Sequence, residues 1–273
     1  MPLPASMRRP LLGADRAPKP VAVLLVYLGS VALLLRGEVV SPFAYADPHF
    51  AVDYLATELQ VAALLLACTA MFFQPARIGL RWPTLQAAGQ LVPLVLQLAI
   101  ALASWCTARW LSTPLAGSSD LSAWQILRTT LVVGVTEEWV YRGVLLAACS
   151  AWWGLRRGAA VSLLLFGALH LLNLAAGQTV QQAALQFALA TLSGATLMLA
   201  ALGSRSLLVP MVLHGLYDFL VIDAARFAPT LPSGAMSLAV LAAGPLLGLY
   251  SLVRIARMPA GAPYPVSPGD PAA

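Results

Sequence analysis

The sequence contains few charged residues. Only 10% of its 273 residues are charged, against about 25% in a typical soluble domain, while 60% are hydrophobic and the mean hydropathy is +0.81. This composition excludes a soluble globular fold and is the opposite of the composition of disordered chains. The 20 glycines and 20 prolines show no period, which excludes collagen. A polytopic helical membrane protein is the class that remains.

Cysteine is also scarce. The three cysteines, Cys68, Cys106 and Cys149, lie inside apolar runs and form no CxxC pair. This placement predicts small core residues, not disulfides or a zinc site. The HExxH pattern of soluble zinc proteases is absent. Continuous apolar runs such as residues 183–203 lack the alternating polarity of barrel strands, so we expect an all-α fold.

Eight apolar segments approach the about 20 residues that a helix needs to cross a bilayer. They cover approximately residues 20–36, 54–73, 91–111, 125–153, 159–175, 183–203, 207–227 and 236–257. We therefore predict a transmembrane domain over residues 20–258. Residues 1–19 are predicted to form a cytoplasmic N-terminal tail, and residues 259–273 a flexible C-terminal tail.

The basic residues predict the orientation of this bundle. If both termini are cytoplasmic, most of the 16 basic residues fall on the cytoplasmic side, as the positive-inside rule requires. This set comprises Arg8, Arg9, Arg16, Lys19, Arg77, Arg81, Arg156, Arg157, Arg205, Arg254 and Arg257. The net charge of +5 is then explained by this bias and by anionic lipid, and we expect no nucleic-acid partner.

Ionisable and polar side chains cluster in three of the predicted spans. They are Glu137, Glu138 and Arg142 in the fourth span, His170 and Asn173 in the fifth, and His214 and Asp218 in the seventh. A charged residue at the centre of a membrane helix costs about 2.5–3.5 kcal/mol on insertion scales, so such residues face a bundle interior or a wet cavity. We expect no comparable polar residue in the first three spans.

Helical spacing orients the residues of the fourth and seventh spans. Glu138 and Arg142 are four residues apart, which places them on one face and allows them to pair. Glu137 points about 100° away from Glu138 and is left for another role. His214 and Asp218 are also four apart and share a face.

The fifth span places Phe166, His170 and Asn173 on one face. We expect Phe166 to fix the rotamer of the histidine by packing. For Asn173 we expect an interhelical hydrogen bond, and contact with a substrate backbone is the alternative.

A carboxylate and two imidazoles in an apolar cavity can activate water. Glu137, His170 and His214 are the residues that would form this group. The same three side chains could instead hold a divalent metal such as zinc with one open position, and ligand type alone does not decide between these readings.

The remaining polar and small residues are given structural roles. Gly134, Gly167, Gly194 and Gly215 are predicted to permit close helix packing. Asp223, near the outer end of the seventh span, is predicted to lie at the membrane interface.

Three ordered motifs carry a family resemblance. The stretch 137–142 reads EExxxR, residues 166–170 read FxxxH, and residues 214–218 read HxxxD. Over about residues 125–220 this trio resembles the CPBP family, the CAAX-processing and bacteriocin-processing (Abi, Rce1-type) intramembrane proteases. The resemblance implies an intramembrane endopeptidase whose site opens toward the cytoplasm and which needs no cofactor on a glutamate mechanism.

By motif position, the resemblance implies that Glu137 is the base that activates water and that His170 helps to hold this water. His214 and Asp218 would stabilise the oxyanion. The last motif of the eukaryotic CAAX-processing branch ends in Asn, whereas this sequence has Asp218. An ionised Asp cannot donate a hydrogen bond to an oxyanion, so Asp218 must be protonated, orient His214 or bind a metal.

The resemblance gives Glu138 and Arg142 a supporting role, in which they orient or brace the site. A purely structural pairing of these two residues is equally compatible with the sequence. The expected partners are the lipid bilayer and a substrate that is a membrane protein or a lipidated peptide. With 15 Arg to one Lys and abundant Ala and Pro, the composition favours a bacterial inner membrane.

A second class of function stays open from the residues alone. The buried Glu and His could serve a non-proteolytic membrane protein, either an immunity-type binder or a proton-coupled carrier. Carriers usually show internal repeats with broken helices in matching positions of the two halves, and the sequence shows no such symmetry. The protease is therefore the favoured interpretation.

Overall fold

The structure is a computed structural model that describes residues 19–40, 50–84, 88–112, 120–227 and 231–259. Within these residues the chain forms helices joined by turns. The long helices are α1 (Pro20–Val40), α2 (Phe50–Phe72), α3 (Val92–Leu111), α4 (Asp120–Glu138), α5 (Leu146–Trp153), α6 (Leu155–Leu169), α7 (Val180–Ser204), α8 (Leu208–Ala224) and α9 (Leu231–Ala256). Short 3-10 helices cover Pro75–Ile78, Ala88–Leu91 and His170–Leu174.

The fourth predicted span lies at the centre of the bundle. A π-helical segment, Trp139–Leu145, joins α4 to α5, so that residues 120–153 form one continuous helix. Every residue from Thr136 to Cys149 is buried, as expected for a helix that is surrounded by other helices. This explains why the most polar of the predicted spans can lie in a membrane protein.

The eight predicted spans all fall on helices of the structure, which confirms the all-α bundle. Among the described residues, six helical stretches are long and apolar enough to cross a membrane. They are Pro20–Val39, Asp53–Phe72, Gly89–Leu111, Leu155–Leu174, Val180–Ser204 and Leu238–Ala256. The two that fall short are α4, which carries Arg128, Glu137 and Glu138, and α8, which is 17 residues long. These two helices carry four of the predicted site residues, Glu137, Glu138, His214 and Asp218.

Glycines bring α4 and α8 into backbone contact. A Cβ atom on Gly215 would lie 2.7 Å from the carbonyl oxygen of Thr130 and 2.7 Å from Cα of Leu131. A Cβ atom on Gly134 would lie 2.7 Å from the backbone nitrogen of Gly215. The predicted packing role of both glycines is therefore confirmed, and this contact places the two glutamates of α4 beside His214 of α8.

A glycine also turns the chain between α5 and α6. Gly154 has φ of 80°, a left-handed conformation that side chains disfavour. The chain reverses there, and a Cβ atom on Gly158 would lie 2.5 Å from the backbone nitrogen of Ser150. This close antiparallel pairing fixes the direction of α6, whose C-terminal end leads to His170.

α2 and α4 run in the same direction. The Thr129 hydroxyl donates to the Ala51 carbonyl, and seven residues further along both helices the Thr136 hydroxyl donates to Glu58. Two parallel membrane helices must be separated along the chain by an odd number of spans. One predicted span, 91–111, lies between α2 and α4, as this rule requires. The cytoplasmic placement of both termini stays a prediction, and the predicted tails lie outside the described residues apart from Lys19 and Pro259.

The α2–α3 connection packs across the turn between α7 and α8. The backbone N–H of Leu207 donates to Gly79 O at 2.9 Å, and Arg81 Nε donates to Arg205 O at 2.5 Å. The hydroxyl of Ser206 donates to Arg81 O at 2.5 Å. One end of the α4–α8 pair is thereby covered by residues 75–84.

Candidate active site

Glu138 joins two cationic or titratable side chains. Arg142 Nη1 donates to Glu138 Oε1 at 2.9 Å, and both side chains are fully buried. His214 Nδ1 lies 3.0 Å from the same Glu138 oxygen. The predicted pairing of Glu138 and Arg142 is present, and the structure adds His214 to it. A carboxylate beside Nδ1 fixes this nitrogen as a donor and turns Nε2 toward other groups.

The other imidazole nitrogen of His214 faces two acids. Nε2 lies 3.7 Å from Glu137 Oε2 and 3.4 Å from Asp218 Oδ2. Glu137 keeps 9% of its side chain exposed and Asp218 27%, whereas Glu138 is fully buried. The three acids therefore surround one histidine, and of these acids only Glu137 and Asp218 keep part of the side chain exposed.

Phe166 packs between the two histidines. Its ring centroid lies 5.4 Å from that of His170 and 6.0 Å from that of His214, both in edge-to-face geometry. The guanidinium of Arg142 lies over the same ring at 3.9 Å. As expected, Phe166 fixes histidine orientation by packing, and it also shields the Arg142–Glu138 ion pair.

His170 lies at the point where α6 ends. The predicted α-helix over 159–175 stops at Leu169, and His170 begins the 3-10 helix His170–Leu174. Its Nδ1 lies 3.2 Å from the Phe166 carbonyl oxygen, so Nδ1–H can donate there and leave Nε2 as an acceptor.

Asn173 keeps the face of His170 because residues i and i+3 eclipse in a 3-10 helix. Its Nδ2 donates to Gln186 Oε1 on α7 at 2.8 Å. This is the interhelical hydrogen bond that the sequence predicts.

Gly194 and Gly167 let α7 approach these groups. Arg142 Nη2 donates to the carbonyl oxygen of Gly194 at 2.9 Å. A Cβ atom on Gly194 would lie 2.6 Å from Arg142 Nη2 and 2.8 Å from Phe166 Cδ1. On Gly167 it would lie 2.9 Å from Phe187 O. The predicted packing role holds for both, and Gly194 also supplies a hydrogen-bond acceptor to the site.

A cavity of about 560 Å³ begins at His170, His214 and Asp218. Its walls come from α3, α7, α8 and α9 and are formed mainly by Ala, Leu, Val and Gly. The polar residues of the walls are Gln97, Ser104, Gln186, Ser193 and Tyr217. Glu137 does not line the cavity and reaches it through the contact of its carboxylate with His214.

The cavity extends from His214 toward Phe227, along the C-terminal half of α8. This direction leads away from Arg205 and from residues 75–84, which cover the other end of α8. Ile78, Leu207 and Met211 belong to one buried apolar cluster near that other end. The opening of the site toward the cytoplasm stays a prediction of the resemblance.

Sequence reasoning missed Glu58. The first three spans were expected to contain no comparable polar residue, and this is wrong: Glu58 on α2 is fully buried and accepts a hydrogen bond from Thr136 Oγ1 at 2.5 Å. The signal was an acid inside an apolar run, the same signal that identified Glu137.

Asp223 lies in the last turn of α8, and its side chain is fully buried among protein groups. Its position at the membrane interface stays a prediction. The Asp223 carboxylate accepts from Arg226 Nη1 at 2.5 Å, from Trp105 Nε1 at 2.8 Å and from Arg109 Nη1 at 3.3 Å. The network ties α3 to α8 beside the far end of the cavity. Arg226, three residues after Asp223 in the sequence, could have indicated a local partner for this carboxylate.

A metal was the alternative use of Glu137, His170 and His214. Within the described part of the chain, no group of three or more His, Cys, Asp or Glu side chains is arranged to hold a metal ion. The described geometry therefore offers no ligand set through which a metal-dependent step can be derived.

The fold and the buried acid–histidine cluster define an integral membrane protein with a polar site inside a helical bundle. Residues 119–220 match the Rce1-like family, described as type II CAAX prenyl endopeptidase Rce1-like. This region contains all three motifs and agrees with the predicted core at about 125–220, so the resemblance is confirmed. No curated protein matches the chain.

Proposed function

We propose that the protein is an intramembrane endopeptidase in which Glu137 activates water. The observation that carries this proposal is the approach of Glu137 and Asp218 to His214, which lines one end of the apolar cavity. The Rce1-like match over the same residues supports the reaction class.

In the proposed reaction, the carboxylate of Glu137 takes a proton from a water molecule next to His214. The water oxygen attacks the carbonyl carbon of the scissile peptide bond, and the carbonyl oxygen becomes an oxyanion. In this proposal His214 is the imidazolium: its Nδ1–H donates to Glu138 and its Nε2–H donates to the oxyanion. When the C–N bond breaks, Glu137 gives the proton to the leaving amine. One water is consumed, and Glu137 is again a carboxylate.

The supporting residues take roles that their contacts favour. Nε2 of His170 can accept from the attacking water, because its Nδ1 lies beside the Phe166 carbonyl. Asp218 Oδ2 faces His214 Nε2 at 3.4 Å, which favours an orienting role over donation to the oxyanion. Glu138 holds the opposite edge of the same ring.

The choice of Glu137 over Glu138 as the base follows from their surroundings. Glu138 is fully buried and already contacts Arg142 and His214 through one oxygen. Glu137 keeps a small exposed fraction of its side chain, and its Oε2 lies 3.7 Å from His214 Nε2. A base has to reach a water molecule, and this geometry favours Glu137.

The cavity favours an extended, apolar substrate segment. From His214 to Ala225 it follows eleven residues of α8, which at 1.5 Å per residue corresponds to about 16 Å. About five extended residues fit this length. We propose a membrane-associated or lipidated protein as the substrate, in line with the prenyl endopeptidases that the family description names, and a bacterial inner membrane as the location.

The proposal is tested by comparing cells that carry the wild-type protein with cells that carry Glu137→Gln. Membrane proteomes with C-terminal peptide mapping identify proteins that persist uncut only with the variant. Such proteins would support the protease and define its cleavage site. Indistinguishable proteomes at equal expression would contradict it and favour the binder or carrier.

A further inference from the structure

Glu58 is an acid in a helix that otherwise has no part in the site. It lies on α2, outside the residues 119–220 that match the Rce1-like family, and its side chain is fully buried. An acid in the interior of a membrane helix costs about 2.5–3.5 kcal/mol on insertion scales, and such residues are typically functional.

The carboxylate of Glu58 makes one short contact. Thr136 Oγ1 donates to Glu58 Oε2 at 2.5 Å, while Glu58 Oε1 has no hydrogen-bond partner among the described residues. Thr136 directly precedes Glu137 in the sequence. The hydrogen bond that holds the Thr136 side chain therefore also restrains the backbone of Glu137, the proposed base.

The Glu58–Thr136 contact differs in its position from the other polar contacts between α2 and the helix that carries Glu137. Two others are seen among the described residues. Thr129 donates to the Ala51 carbonyl, and Trp139 Nε1 donates to Thr69 Oγ1 at 3.1 Å. The acid is placed at the one of these three contacts that adjoins Glu137.

Charged and titratable groups approach Glu58 from three helices. Glu38 on α1 is buried, and next to it a Cβ atom on Gly37 would lie 2.8 Å from Thr57 Oγ1 of α2. Glu137 on α4 and His214 on α8 are close enough for electrostatic interaction with Glu58. The Glu58 carboxyl thus lies near the site, on a helix that contributes no residue to the cavity walls.

We propose that Glu58 is a positioning residue for this site: it holds Thr136 and thereby fixes the backbone and side chain of Glu137 relative to His214. The inference rests on the proposed function, because it assigns a role in the reaction of Glu137. It adds to that function a residue from α2, a helix to which no motif assigns chemistry.

The test uses full-length protein in lipid vesicles and an internally quenched peptide that copies the cleavage sequence mapped with Glu137→Gln. Glu58→Ala is expected to lower kcat by about 10- to 100-fold with KM unchanged, because small misplacements of a catalytic group have effects of this size. Thr136→Val should lower kcat equally, and the double variant should lose no more than either single variant. Glu58→Gln keeps an acceptor for Thr136 and should restore most of kcat.

Thr69→Val is the matched control, because it removes a polar contact from the same interface without touching Thr136. It should lower the unfolding temperature and leave kcat at the wild-type value. Folding of each variant is checked by thermal unfolding in detergent.

Two results would overturn the positioning role: a folded Glu58→Ala variant with wild-type kcat, or Glu58→Gln as impaired as Glu58→Ala. Failure of the proposed function looks different. In that case Glu137→Gln itself leaves the proteome unchanged and no cleavage sequence is obtained.

Discussion

Glu138 and His214 lie 76 residues apart in the sequence, yet Glu138 Oε1 is 3.0 Å from His214 Nδ1. The contact joins the first and last motifs of the Rce1-like region. It also makes Glu138 more than a partner of Arg142, because the same oxygen orients the histidine whose Nε2 faces Glu137 and Asp218. The site is therefore one connected network, in which a change at one residue alters its neighbours.

Glu138→Ala should unfold the protein rather than give a folded, inactive one. The substitution leaves the fully buried guanidinium of Arg142 without its carboxylate, and breaking a buried ion pair in this way costs about 3–5 kcal/mol. Glu138→Gln keeps shape and hydrogen bonding and should fold, with reduced activity. Thermal unfolding and peptide cleavage measured on both variants check this. Equal stability of Glu138→Ala and wild type would refute the bracing role.

Gly194→Ala should reduce both stability and cleavage. The added methyl group would meet Arg142 Nη2 at 2.6 Å and Phe166 Cδ1 at 2.8 Å, so the Arg142 side chain has to leave the Gly194 carbonyl. Overpacking of a close-packed interior typically costs about 1–3 kcal/mol. Gly89→Ala is the control, since a Cβ atom there has nothing within 4 Å. Equal stability and equal cleavage rates in the two variants would show that the close approach at Gly194 is not needed for folding or for catalysis.

Val221→Trp should obstruct the cavity without disturbing the acid–histidine cluster. Val221 lies on the cavity wall, whereas Val212 on the same helix is 50% exposed and lies outside the wall. We expect Val221→Trp to raise KM or abolish cleavage and Val212→Trp to have little effect. Cleavage of the quenched peptide by the two variants gives the comparison. Unimpaired cleavage by Val221→Trp would show that substrate reaches His214 by another route.

Asp223→Ala should destabilise the fold and leave the chemistry intact. Arg226 is 4% exposed and donates to Asp223 at 2.5 Å, so removal of the carboxylate leaves a buried cation at a cost of about 3–5 kcal/mol. Arg254→Ala is the control because its hydrogen bond to Tyr250 is exposed. A lower unfolding temperature with unchanged kcat at low temperature is the expected result. Loss of kcat with full stability would instead place the network in the reaction.

Local spacing predicted the contacts within single helices. The four-residue intervals from Glu138 to Arg142 and from His214 to Asp218 correspond to ion pairs at 2.9 Å and 3.4 Å. The membrane spans could also be predicted from the sequence, because a run of about 20 apolar residues leaves few alternatives to a membrane helix. The predicted packing glycines lie at the helix contacts.

The spacing of residues within one helix could not predict contacts between distant segments of the chain. The partner of Glu58 is 78 residues away, and those of Asp223 on α3 are more than 100 residues away. The π-helical segment after Glu138 is a tertiary feature as well, since the Tyr141 carbonyl within it accepts from Ser162 of α6 at 2.6 Å. The direction of the cavity depends on how four helices pack, which no single motif encodes.

The central claim is that Glu137 is the base of a peptide-bond hydrolysis, and single-turnover cleavage of the quenched peptide by Glu137→Gln in vesicles tests it most directly. Gln keeps the size and hydrogen bonding of Glu but cannot take a proton. We expect a folded variant whose cleavage rate falls by about 10²–10⁴-fold, the usual contribution of a general base. A folded Glu137→Gln protein that cleaves at the wild-type rate would contradict this claim.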